Sequence, residues 1–326
     1  MRLSLVGCGF VGQAIAQQLK GRVDLELTVT TTSEEHKEEL RVIADRVLVI
    51  RASDPDGLFE ALHGRDAVIF CLGPKGNRQV DAAGYRQTFT DSFRCLDALL
   101  PHLPALRQII YTGSCSIYGD ADGAWIDEST PPQPRDEHGA VLLEAERQLL
   151  QMANAQRRVC ILRLAALYGP EREFQERFAR LAGSTQQSDG ERFTNWVHRD
   201  DAAAAALAAL KGHWEGIVNV VDDAPVLLAD LLNASLRHAG LEPITWQQSA
   251  NQGSAGLNRR ISNHLLKQMG YQLRHPTISL VNEGAAPQHE PTSTTDLTPP
   301  DGAEDIRDKH STLCRLTDLE NLRLKG

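Results

Sequence analysis

The sequence has no apolar run near the roughly 20 residues that cross a bilayer as a helix, and its six cysteines include no CxxC pair. The first absence speaks against a helical membrane anchor. MRLSLVGCGF at the start carries one arginine, and glycines interrupt it before an apolar h-region forms, so no secretory signal is expected. Cys8, Cys71, Cys95, Cys115, Cys160 and Cys314 are scattered, mostly inside apolar runs, as reduced thiols packed like small hydrophobes are. A reducing cytoplasmic setting is the expectation. Basic charge is also short: 34 Lys and Arg stand against 43 Asp and Glu, a net charge of -9. That balance argues against nucleic acid or an anionic membrane surface as partner. Metal-ligand spacing, a nucleophile elbow and a P-loop are missing too, and the eleven histidines show no chelating pattern along the chain. No metal is expected.

What the sequence does contain is a regular alternation. Short runs rich in Val, Ile and Leu at 3–6, 26–29, 46–50, 67–72, 107–111, 159–164 and 217–221 read as buried strands. Helical patterns lie between them, as in VGQAIAQQL, where Val11, Ile15 and Leu19 share one face. Strand-helix alternation of this kind predicts an α/β, doubly wound parallel sheet of the Rossmann type. The texture changes after Tyr168-Gly169-Pro170. DDAAAAALAAL predicts a strong helix with Asp200 or Asp201 as its N-cap. Residues 282–326 are polar and Pro/Thr-rich, a composition that buries too little apolar surface to order itself.

Gly7-Cys8-Gly9-Phe10-Val11-Gly12 closes the first strand and opens the first helix. In that setting GxGxxG is a pyrophosphate cradle. The first glycine makes the tight turn, the second admits the ligand to the backbone, and the third lets helix and strand approach. The second strand ends in Thr31, Thr32 and Ser33, where a carboxylate would grip the ribose of NAD. Hydroxyls there suit a 2′-phosphate, so NADP is expected slightly ahead of NAD, with Lys37 adding charge. Asp54 is placed either for an adenine contact or as a turn cap. Leu72 and Gly73 end the fourth strand and line the same crevice, with Lys75 and Arg78 beyond them as possible anion contacts.

Together with this cradle, TGSCSIYGD, RLAALYGP and WVHRDDAA make the chain resemble the extended short-chain dehydrogenase/reductases, the NAD-dependent epimerase/dehydratase superfamily. The resemblance runs from residue 1 to about 280 and is nearest the atypical bacterial subgroup typified by YeeZ. It implies a dinucleotide-binding domain at 1–170 and a small C-terminal substrate lobe at 171–281, with 196–222 returning to the sheet. For the site it implies that Ser114, four before Tyr118, hydrogen-bonds the reacting oxygen. It also implies a Tyr-x-x-x-Lys acid/base pair on the next helix. Here His138 and Leu142 stand at those positions, so no such pair exists. His138 and Tyr118 are the remaining candidates for moving the proton. Arg172 and His198 are candidates for meeting the substrate, as are Arg259 and Arg260, while Arg163 reads as a substrate-side residue or a buried ion pair.

The function expected is an NAD(P)-dependent oxidoreductase or epimerase/dehydratase acting on a small hydroxyl or carbonyl substrate, perhaps sugar-derived, as monomer or homodimer. The alternative is a dinucleotide-binding sensor or scaffold whose chemistry has been lost.

Overall fold

The seven apolar runs become the seven strands of one parallel sheet: β1 (Arg2–Val6), β2 (Glu26–Thr31), β3 (Arg46–Val49), β4 (Ala67–Phe70), β5 (Gln108–Ser114), β6 (Arg158–Leu164) and β7 (Gly216–Val220). The structure is a computed structural model and describes residues 1–74, 81–247 and 256–282. The polar stretch from residue 283, with Cys314, lies outside the described residues, as do Lys75 and Arg78. Spatial order is β7-β6-β5-β4-β1-β2-β3, so the strand order reverses between β1 and β4. In such sheets a ligand crevice opens at the carboxyl ends of the strands beside that reversal.

Alternate residues of each strand serve opposite faces. Leu3, Leu5, Ile69, Ile110 and Leu162 pack with helices Phe10–Leu19 and Arg199–Gly212. Val68, Phe70, Ile109, Tyr111 and Ile161 pack with helices Pro55–Leu62, Thr90–Leu99 and Glu137–Gln151. A fully buried side chain such as Ile15 contributes about 1.5–3 kcal/mol to this core. A third apolar cluster, around Phe174, Phe178, Trp196, Leu231 and Leu236, lies in the C-terminal half. No helix among the described residues is long and apolar enough to cross a membrane.

Three details depart from the expectation. The run YRQTFTDSFRCLDALL, residues 85–100, reads as one helix in sequence but falls into two, Ala82–Thr88 and Thr90–Leu99. The Thr88, Thr90 and Ser92 hydroxyls donate to carbonyls four residues back, a habit that bends helices. Only Gly216–Val220 of the 196–222 stretch joins the main sheet, because Trp196–His198 pairs instead with Ala166–Tyr168. The N-cap of the Arg199–Gly212 helix is His198, whose Nδ1 accepts the Asp200 N–H at 3.2 Å. Asp201 is fully buried and grips a distant segment. Its carboxylate accepts the Tyr271 hydroxyl at 2.8 Å and the Arg274 and His275 N–H groups at 2.7 and 2.8 Å.

Candidate functional site: a glycine cradle beside a serine-arginine cavity

The three glycines of the first turn are held to different standards by the protein itself. A Cβ on Gly7, at φ +92°, would meet the Cys71 carbonyl oxygen at 2.6 Å, and one on Gly12 would meet the Gly7 carbonyl oxygen at 2.6 Å. Chain-to-chain packing therefore forbids side chains there. A Cβ on Gly9 would find nothing within 4 Å. The protein's own packing thus does not require a glycine at position 9, and its bareness keeps open the space in front of the first helix. No side chain caps that helix and its first turn holds no acid, so its positive end faces that space uncompensated. These features fit a dinucleotide pyrophosphate. Val11 is buried beneath the turn, and the half-buried Phe10 ring carries two guanidiniums, Arg172 at 4.1 Å and Arg199 at 5.0 Å.

The flanking residues divide. Thr30 accepts the Gly7 N–H at 3.0 Å and so belongs to the cradle's own frame, which the sequence did not single out. Thr31 is buried and accepts the Ser33 N–H at 3.2 Å, while Thr32 is exposed and Ser33 half-buried. Lys37 lies 3.2 Å from Glu34 in a surface pair. Asp54 is the N-cap of helix Pro55–Leu62, its carboxylate accepting the Gly57 N–H at 3.3 Å, which is the turn-cap role. Leu72 and Gly73 follow β4, and a Cβ on Gly73 would touch nothing within 4 Å.

On the same carboxyl edge, the end of β5 opens a cavity of about 120 Å³. Of the four hydroxyls on TGSCSIY, two face it. Ser114 and Ser116 line the cavity, with the Ser114 hydroxyl donating to Ser116 Oγ at 2.9 Å. Thr112 instead donates to the Phe70 carbonyl inside the sheet at 3.2 Å. Across the cavity lie Asn195, Trp196, Arg192 and Arg259. Asn195 ties this wall together: its amide donates to the Arg259 carbonyl at 2.9 Å and its oxygen accepts the Ile261 N–H at 2.8 Å. Arg259 is 4% exposed, and burial pulls its pKa down to about 10. It donates to the Gly119 and Cys115 carbonyls at 3.1 and 3.2 Å, and its Nε has no partner. Among the described residues no carboxylate forms an ion pair with it.

Residues 5–220 match the model of the NAD dependent epimerase/dehydratase family. The chain belongs to that family. Protein YeeZ of Escherichia coli strain K12 is 31% identical over 283 residues, covering 84% of this chain and 96% of YeeZ. A short-chain dehydrogenase/reductase superfamily protein from Agrobacterium tumefaciens, solved with bound NAD, superposes with a TM-score of 0.71 at 17% identity, covering 87% of this chain and 95% of that one. The UDP-glucose 4-epimerase of Thermus thermophilus in complex with NAD gives a TM-score of 0.66 at 21% identity, covering 84% and 94%. At these identities the two structures attest to the fold.

Within this epimerase/dehydratase frame the proton-moving residues are displaced. Tyr118 is fully buried, and its hydroxyl accepts from Arg163 Nη1 at 2.7 Å while donating to Asn219 Oδ1 at 2.9 Å. Burial pushes its pKa up to about 12 despite the neighbouring guanidinium. Tyr118, a candidate for moving the proton, thus sits in the core and outside the cavity lining. Arg163 proves to be the buried ion pair, 2% exposed, with Nη2 at 2.8 Å from Glu146 Oε2. Glu146, on helix Glu137–Gln151, had no signal in the sequence beyond a charge on an apolar face. Leu142, at the position of the missing lysine, packs in the core. His138, at the position of the missing tyrosine, is half-buried with its ring 4.3 Å from the Tyr85 ring, and it does not line the cavity.

Of the four candidates for meeting the substrate, Arg259 lines the cavity, whereas Arg172, His198 and Arg260 do not. Arg172 lies on Phe10 of the cradle, and Arg260 lies over Trp125 and Phe193. His198 stacks on His275 with ring centroids 3.7 Å apart, and burial followed by the His275 charge lowers its pKa. The histidines thus do cluster. His198, Asp200 and His275 each bring a ligand atom within 4.8 Å of the others, a convergence invisible in their spacing along the chain.

Proposed function

We propose that the protein is an NAD(P)-dependent oxidoreductase or epimerase that acts on a small hydroxyl or carbonyl substrate bearing an anionic group. One observation carries the reading: a buried arginine with no carboxylate partner among the described residues lines, with Ser114 and Ser116, a cavity on the sheet edge that also holds the glycine cradle. A buried charge is costly unless paired. A carboxylate or phosphate ester on the substrate would pair with Arg259. Ser114 would then hold the reacting oxygen beside the nicotinamide, which accepts or delivers the hydride when bound. The cavity suits a compact ligand, since a comparable space of about 150 Å³ takes a benzene ring.

The cradle residues Gly7, Gly9, Phe10, Val11 and Gly12 would hold the pyrophosphate. Leu72 and Gly73 would border it, and Thr31, Thr32 and Ser33 the adenosine ribose. The hydroxyls of Thr31, Thr32 and Ser33 where a carboxylate would meet the ribose support NADP ahead of NAD. Residues 1–170 would form the cofactor domain and 171–281 the substrate lobe.

A second reading has its own support. Among the described residues the cavity lining includes no tyrosine, histidine, lysine or carboxylate to exchange the proton. Cys115 does not replace them, because burial pushes its thiol to about 12 and its Sγ donates to the Arg163 carbonyl. That pattern suits a sensor that reads cofactor and anion without turning them over. The two readings part in one experiment: purified protein with saturating oxidised or reduced cofactor is offered small hydroxy acids, phosphorylated polyols and their neutral counterparts. Turnover of nicotinamide absorbance with the anionic compounds alone, lost in Ser114→Ala, supports the enzyme. Saturable binding of those compounds with no change in cofactor redox state supports the sensor.

A further inference from the structure

Away from the cavity, His198, Asp200 and His275 converge where the Trp196–His198 strand, the following helix and the closing segment meet. His198 Nδ1 accepts the Asp200 N–H at 3.2 Å, so that nitrogen carries a lone pair and no proton. The same Nδ1 faces Asp200 Oδ2 at 3.9 Å. At that separation the ring nitrogen and the carboxylate oxygen make no direct hydrogen bond, and the gap between them is wide enough to hold one ion. Arg199 Nε sits 3.6 Å from the other oxygen, Oδ1, leaving Oδ2 to the histidines. The capping contact is at the long end of N–H hydrogen bonds, so giving up that lone pair costs the helix little.

The third member is held from behind. Asp201 accepts the backbone N–H groups of Arg274 and His275 and the Tyr271 hydroxyl, fixing the His275 backbone against the helix start. Two imidazoles and one carboxylate form a donor set that suits first-row divalent ions. We propose that His198, Asp200 and His275 bind one divalent ion of the zinc type, which staples the closing segment around His275 to the start of the Arg199–Gly212 helix. Three protein ligands leave a fourth tetrahedral position to water. For both ring lone pairs to reach an ion at about 2.0–2.1 Å, the stacked rings slide apart. That movement falls to His275, because His198 is wedged between the Tyr168 ring edge and Gly169.

The test uses the full chain, freed of metal by chelator, then titrated with Zn²⁺ by calorimetry and with Co²⁺ by visible absorption. The expected result is one ion per chain and a zinc-dependent rise in Tm. His275→Ala and Asp200→Asn weaken binding at least tenfold. His275→Cys, which exchanges one zinc ligand for another, restores binding and adds a thiolate-to-cobalt charge-transfer band that a merely structural residue would not produce. Tm in chelator shows which variants fold, and should His275→Ala fail to do so, Asp200→Asn carries the comparison. The proposal is overturned if the wild-type chain takes up no stoichiometric ion at micromolar concentration. Undiminished binding in the folded variants overturns it equally, since the ion would then belong to others of the eleven histidines.

Discussion

Arg163 and Arg259 are buried on either side of Cys115, and the protein treats them in opposite ways. Arg163 has a carboxylate, a tyrosine hydroxyl and a defined fork: Glu146 takes its Nε and Nη2, and Tyr118 takes its Nη1. Arg259 has two carbonyl oxygens and an orphaned Nε, and it looks into a cavity. The first guanidinium is neutralised within the fold and holds the end of β6 to helix Glu137–Gln151. The second has no carboxylate in an ion pair with it among the described residues, which leaves its charge open to an anion in the cavity. Burial alone therefore does not mark a functional charge; burial without a counter-charge does.

Substitutions should widen that contrast or erase it. The largest effect is expected at Glu146→Gln, which strands the Arg163 charge in the core and should cost about 3–5 kcal/mol by chemical denaturation. A cost below about 1 kcal/mol would show that the pair is not desolvated and that the two arginines are alike. Next comes Gly12→Ala, whose Cβ runs into the Gly7 carbonyl. Overpacking of this kind costs about 1–3 kcal/mol, read as a lower denaturation midpoint. Smallest in stability, and sharpest in function, is Arg259→Gln. It removes an uncompensated charge while keeping an amide donor for the two carbonyls. We expect stability within about 1 kcal/mol of wild type and loss of saturable binding of small carboxylates or phosphate esters. A strongly destabilised Arg259→Gln with anion binding intact would make Arg259 a second Arg163.

The sequence carries the cradle plainly because the cradle is local. Gly7, Gly9 and Gly12 act through one turn, and their spacing alone states the geometry. The strands were readable for a similar reason: runs such as AVIF are apolar on both faces, as only a sheet covered on both sides demands. The cavity was only half readable. From Ser114 a strict two-residue period would aim residues 114, 116 and 118 the same way, yet the 3₁₀ turn at Cys115–Ile117 breaks the period and sends Tyr118 into the core. Asn195 and Glu146 were silent because their roles depend on partners far along the chain, Arg259 and Ile261 for one, Arg163 for the other. The His198–His275 contact was hidden for the same reason: Asp201, which looks like a helix cap in sequence, is the residue that brings His275 in.

The central claim is that the open space at Gly9 receives a dinucleotide, and fluorescence titration of NADPH and NADH into wild type and Gly9→Asp tests it most directly. A Cβ at Gly9 touches nothing in the protein, so the variant should keep the wild-type Tm. The account predicts saturable binding to wild type, tighter for NADPH, and its loss in the equally stable variant. Absence of binding of either cofactor to wild type at millimolar concentration, or undiminished binding to Gly9→Asp, would contradict it.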